Sequence, residues 1–113
     1  HPAVLRMLDL IIRICTEREK PCGICGEIAG DHHLTMPLVG LGFRILSMTP
    51  VLVPRVKVIL GQSTLEECRE LARRALELAT VDEVKELLHR TAHDKVDRYL
   101  RRRGLDGERP VRE

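Results

Sequence analysis

Gly23-Ile24-Cys25-Gly26-Glu27-Ile28-Ala29-Gly30-Asp31 is the stretch on which the reading of this 113-residue chain turns. The residues from Cys22 to Cys25 are short and apolar, as a buried strand requires, and Gly23 allows close packing there. A turn containing glycine and acid follows the cysteine at once, and a helix-like segment runs from His33 to Leu41. This order predicts a thiol, Cys25, at the carboxyl end of a strand. In parallel α/β sheets and barrels, that edge is where ligands bind and chemistry occurs.

Working outward, the same alternation continues. Pro2 suits the first position of a helix, with His1 outside it. Val4, Leu5, Leu8, Ile11, Ile12 and Cys15 recur at helical spacing, so residues 2–19 are predicted as an amphipathic helix that Lys20-Pro21 ends. Gly40-Leu41-Gly42 closes the helix after Cys25. Residues 43–48 make a second strand, and Pro54 opens a short helix through Leu60. Thr64-Leu65-Glu66-Glu67 and Thr80-Val81-Asp82-Glu83 are two capping boxes, each starting a helix. Acid-first pairs on the exposed faces are Glu70/Arg74, Glu86/Arg90, Asp94/Arg98 and Asp97/Arg101. Strands alternating with helices argue for parallel pairing in βα units. Two strands alone do not make a stable sheet. The expected fold class is therefore α/β, as the last part of a larger barrel or open sheet.

Composition narrows the function classes. Hydrophobic residues make up 43% and charged residues 32% of the chain, which suits a helix-rich globular segment. The net charge is +2, but residues 98–113 alone carry six arginines against three acids. Arginine suits the negative end of a helix dipole, and Tyr99 is the one aromatic there that could stack a base, so no nucleic-acid role is expected. Val51 to Val53 and Val58 to Leu60 are far too short to span a bilayer, and no membrane partner is expected. Four cysteines (15, 22, 25 and 68) without an export signal point to reduced thiols in a cytoplasm. The opening His1-Pro2, without an initiator methionine, reads as a piece of something longer.

Five motifs then appear in order: His1-Pro-Ala-Val-Leu-Arg6, Cys25-Gly-Glu-Ile-Ala-Gly-Asp31, Gly40-Leu-Gly42, Leu46-Ser-Met48 and Val53-Pro-Arg-Val-Lys57. In order and spacing the chain resembles enzyme I of the sugar phosphotransferase system, the phosphoenolpyruvate–protein phosphotransferase family, over about residues 1–80. Pyruvate phosphate dikinase and phosphoenolpyruvate synthase share the Cys-Gly core but diverge after it. The sequence departs from the pattern at Arg44-Ile45, where the family often has an acidic pair. It also departs at Thr49, commonly serine, and at His32-His33, where a proline or acid is more usual.

The resemblance implies a (β/α)8 TIM barrel binding phosphoenolpyruvate and magnesium. Residues 1–103 would supply its last two βα units and C-terminal helices, incomplete alone, since a whole barrel takes roughly 250 residues. Residues 104–113 would be a basic tail without regular structure. The parent would pass the phosphoryl group from phosphoenolpyruvate to its own histidine and on to a phosphocarrier protein, releasing pyruvate, as a homodimer. Magnesium ligands, phosphate-binding arginines and that histidine would all lie upstream. The one matched catalytic position is Cys25, as proton donor to enolpyruvate. A thiol with pKa about 8.5 stays mostly protonated at neutral pH, and partial burial would favour that form. Gly26 would let the backbone pass near substrate. Glu27 would sit in a first helical turn, and Asp31 would cap the next helix.

Rival readings exist. Cys22-Gly-Ile-Cys25 with His32-His33 has the residue types of a zinc or redox site, but on a strand positions i and i+3 face opposite ways. His89 and His93 lie one turn apart, but Arg90 stands where a metalloprotease needs glutamate, so they are expected on an ordinary solvated face. Cys15 and Cys68 sit on apolar stripes and are expected in the core. The alternative class is a non-catalytic fragment whose open strand edges seek a partner.

Overall fold

A computed structural model describes residues 1–105. In order they form helix α1 (Pro2–Glu17), strand β1 (Gly23–Cys25), short helix α2 (Glu27–Gly30), α3 (Thr35–Leu41), strand β2 (Ile45–Ser47) and a 3-10 turn (Pro50–Leu52). Helices α4 (Val53–Gly61), α5 (Leu65–Glu77) and α6 (Val81–Arg102) complete them. The chain is mostly helical around a small two-stranded sheet. The strands run parallel, in register Gly23↔Ile45, Ile24↔Leu46 and Cys25↔Ser47.

Each helix end has a local cause. Pro2 is the first residue of α1 and His1 lies outside it, as expected, capping the helix through a ring nitrogen that accepts from the Ala3 N–H at 3.2 Å. Thr64 and Thr80 close both capping boxes as expected. Helix α3 ends on Gly42 at φ 124°, a conformation that L side chains rarely adopt. Its start differs from the expected His33. The ring of Pro37 would meet the carbonyl of His33 if the helix ran back that far, so α3 begins at Thr35.

Packing follows the apolar stripes. One cluster joins Leu5, Met36, Ile59, Cys68, Leu71 and Leu88 across α1, α3, α4, α5 and α6. A second joins Ile12, Leu38 and Phe43, with Cys22, Ile24 and Leu46 packed on it from the sheet. Helices α3 and α5 cross almost backbone to backbone, because a Cβ on Gly40 would collide with the carbonyl of Cys68.

Arginines and a lysine finish the polar ends. Arg6 donates to the carbonyls of Leu76 and Leu78, at 3.3 and 3.2 Å, where the last carbonyls of α5 lack helical partners. Arg44 does the same for Val39 and Phe43 at the end of α3, at 2.8 and 2.9 Å. Buried Lys95 of α6 donates to the Gln62 carbonyl at 2.9 Å and to Glu67 at 2.8 Å.

Some surface expectations are corrected. None of the four predicted acid-first pairs forms among the described residues. Glu70 instead meets Arg73 at 2.7 Å, and Arg73 also reaches Glu77. Asp97 faces His93 at 3.4 Å. Both i+3 and i+4 partners are within reach on a helix, so long side chains can choose the other one. Arg103, the last residue before the expected basic tail, stacks over Tyr99 at 5.2 Å, and Gly104, the first residue of that tail, has the left-handed φ of 64°. Residues 106–113 lie outside the described residues.

Candidate functional site

The parallel register sets Cys25 beside Ser47, each the last residue of its strand. Both strands alternate exposed, half-buried, exposed. Ile24 and Leu46 turn to the core, while Gly23, Cys25, Ile45 and Ser47 occupy the opposite, open face. A strand's two-residue period produces this split from sequence alone. The predicted thiol thus lies at the carboxyl end of a parallel strand, as expected. It is exposed rather than partly buried, because no layer covers that face among the described residues.

The loops leaving both strands meet at this edge. Gly26 has φ 78° and ψ −158°, a combination that favours glycine. A Cβ there would meet nothing within 4 Å, so the glycine serves the turn and not a close packing contact. Gly30 is different, since a Cβ on it would collide with Leu52 beyond β2. Gly30 of α2 therefore lies against the Leu52 side chain of the 3-10 turn. Glu27 is exposed in the first turn of α2, where its charge suits the helix dipole.

Cys22 does not join Cys25. It packs with Ile24 and Leu46 on the covered face, so the two sulfurs of Cys-x-x-Cys lie on opposite sides of the sheet. Desolvation pushes the Cys22 thiol up, with Cys15 as a neighbouring partner. Cys68 is buried, as expected of a core residue, and burial raises its thiol too. Cys15 is only half-buried.

Asp31 caps a turn and not α3. Its Oδ1 accepts from the His33 N–H at 2.9 Å and lies 2.9 Å from His33 Nδ1. The ring centroids of His32 and His33 lie 3.8 Å apart, with the rings tilted by 40°. His33 in turn stacks on His89 of α6 at 3.9 Å and 19°. His89 is exposed, as expected, and its ring also packs on His33. Burial first, then the neighbouring His33 and Arg55, lowers the His32 pKa. Sequence reading missed this cluster because residues 31–33 and 89 are distant along the chain.

Magnesium takes hard oxygen ligands. The one group of three or more His, Cys, Asp or Glu found close enough to hold a metal, among the described residues, is Asp31, His32 and His33. That nitrogen-rich set does not fit magnesium.

Residues 1–65 match the family described as PEP-utilising enzyme, PEP-binding domain. The chain belongs to that family. Relatives agree with it: the chain is 44% identical over 88 residues to phosphoenolpyruvate-protein phosphotransferase of Haloferax volcanii, covering 78% of this chain and 16% of that protein. It is 44% identical over 87 residues to multiphosphoryl transfer protein 1 of Escherichia coli (strain K12), covering 77% of this chain and 10% of that protein. It is 34% identical over 89 residues to phosphoenolpyruvate-protein phosphotransferase of Buchnera aphidicola subsp. Schizaphis graminum, covering 79% and 16%. The chain therefore spans 10% to 16% of the length of these curated relatives. Cys25 and the loops around it all fall inside the matched 1–65.

Proposed function

We propose that this chain is part of a phosphoenolpyruvate–protein phosphotransferase, and that Cys25 delivers the proton that turns enolpyruvate into pyruvate. In this reading residues 1–103 are the last two βα units and C-terminal helices of a (β/α)8 barrel. The open face of β1 and β2 then looks into the barrel, and their carboxyl ends line its mouth. One observation carries the reading: Cys25 stands exposed at the end of a parallel strand, on the uncovered sheet face, within the family match.

The chemistry is a single proton transfer. Loss of the phosphoryl group from phosphoenolpyruvate leaves an enolate whose methylene carbon must gain a proton. The S–H bond of Cys25 breaks, a C–H bond forms at that carbon, and the enolate electron pair closes the ketone. The resulting thiolate recovers its proton from solvent. In reverse, the thiolate removes a methyl proton. Ser47 stands beside the thiol, and the Gly26 turn leaves its approach open. The phosphoryl group goes to a histidine of the parent and then to a phosphocarrier protein, in a cytoplasmic homodimer. Magnesium, in this proposal, is held by other parts of the parent, and no step is assigned to it here.

Cys25→Ala in the intact protein is expected to lower pyruvate formation by about two to four orders of magnitude, the usual worth of a positioned acid. Phosphorylation of the enzyme by phosphoenolpyruvate should suffer less than exchange of pyruvate methyl protons with solvent. Unchanged proton exchange in that variant would remove Cys25 from the mechanism. A non-catalytic fragment, or a dikinase-type or synthase-type enzyme, is the competing reading. Intact protein that phosphorylates no carrier protein but consumes a nucleotide would favour the dikinase or synthase class.

A further inference from the structure

The turn after α2 gathers donor groups that the proposed proton transfer does not use. Asp31, His32 and His33 each offer one ligating atom, and these atoms all lie within 4.8 Å of one another. Donors around a four-coordinate zinc-type ion at 2.0–2.1 Å sit about 3.3 Å apart. The 4.8 Å spread exceeds that separation, so ion binding must draw the side chains of this one turn together.

The turn is already organised. Asp31 Oδ1 takes the His33 N–H and lies 2.9 Å from His33 Nδ1. A divalent ion taking the place of the proton between them would find these two donor atoms already close to the separation a four-coordinate site requires. His89 stacks flat on the His33 ring at 3.9 Å and 19°, and so restrains its plane from another element. The His32 ring lies 3.8 Å from that of His33, tilted by 40°.

We propose that Asp31, His32 and His33 form a binding site for a zinc-class divalent transition ion at the rim beyond β1, with His89 as a positioning residue. Imidazole nitrogen with one carboxylate oxygen suits zinc, cobalt or nickel over magnesium. The site uses no cysteine, and it stands whether or not Cys25 is the proton donor.

Titration of the intact protein with cobalt(II), in excess magnesium, tests this. Expected is one equivalent bound with the strong visible bands of four- or five-coordinate cobalt and no thiolate charge-transfer band. His32→Gln and His33→Gln should each weaken binding by about tenfold or more. His89→Phe, which keeps a stacking ring, should leave affinity within about twofold, whereas His89→Ala should weaken it. Circular dichroism of each variant confirms that the fold is kept. Absence of binding, affinity unchanged in His32→Gln, or a thiolate band lost on replacing Cys22 or Cys25 would overturn the proposal.

Discussion

Cys25 and Cys68 place the same side chain in opposite environments, and their chemistry should differ accordingly. Cys68 is locked under Gly40 in the α3–α5 crossing, and burial raises its pKa. Cys25 is open to solvent at a strand end. Thiolate fraction and access together set alkylation rate. Limited iodoacetamide treatment of the folded 113-residue chain should therefore label Cys25 first, Cys22 slowly and Cys68 last, as read by peptide mass spectrometry. Early labelling of Cys68 would contradict the packing. The sequence disclosed Cys25's position because strand, turn and helix signals fall in unbroken order around it. Its exposure was not legible, since burial of one sheet face depends on what lies opposite. The Asp31–His33–His89 contact was equally hidden, because it depends on how α6 packs and not on local spacing.

At the scale of elements, the two capping boxes were fully legible, as each is written within four residues. What the sequence did not show is that one of them is tied to another helix. Glu67 holds the Thr64 N–H at 2.8 Å and also receives Lys95 from α6. The Lys95 hydrogen bond, then the Thr64 N–H, holds the Glu67 carboxyl below its ordinary 4.5. A carboxyl lowered in the folded state stabilises in full above that ordinary value. The contribution is lost as pH falls through the lowered folded value. Glu67→Gln should therefore be less stable than the parent at neutral pH, and in urea unfolding the gap should close as pH falls below the ordinary carboxylate value. A gap that stayed constant with pH would sink the assignment. Thr64→Ala, which removes only the cap, should cost about 1 kcal/mol at neutral pH. Gly40→Ala should cost more, on the order of 3 kcal/mol, since backbone and not a flexible side chain must move. Partners on the exposed faces were the illegible part: Glu70 chose Arg73 over Arg74, a choice between two reachable arginines that spacing alone does not make.

Over the whole molecule, the periodicity of α1 carries more apolar residues than its neighbours cover. Leu5 and Ile12 are buried, but Val4, Met7, Ile11 and Ile14 stand 41–62% exposed, as does Ile45 on the open sheet face at 54%. The sequence showed one helical stripe from Val4 to Cys15. The structure divides it into a face that packs on α3 and α5 and a face left bare. The radius of gyration, 15.0 Å, exceeds the roughly 13 Å of a compact domain near this length, as an open arrangement should. Both strands also keep an unpaired edge, which invites pairing with another chain. The consequence is specific. The 113-residue chain by itself should self-associate and bind a hydrophobic dye, measured by sedimentation and fluorescence. Met7→Lys with Ile45→Lys should reduce both without loss of helical circular dichroism. In the intact phosphotransferase proposed above, the same pair should instead lower the melting temperature, because the charges would enter a covered face. A monomeric, non-dye-binding 113-residue chain would mean that these faces need no cover, and the barrel reading would lose its physical motive.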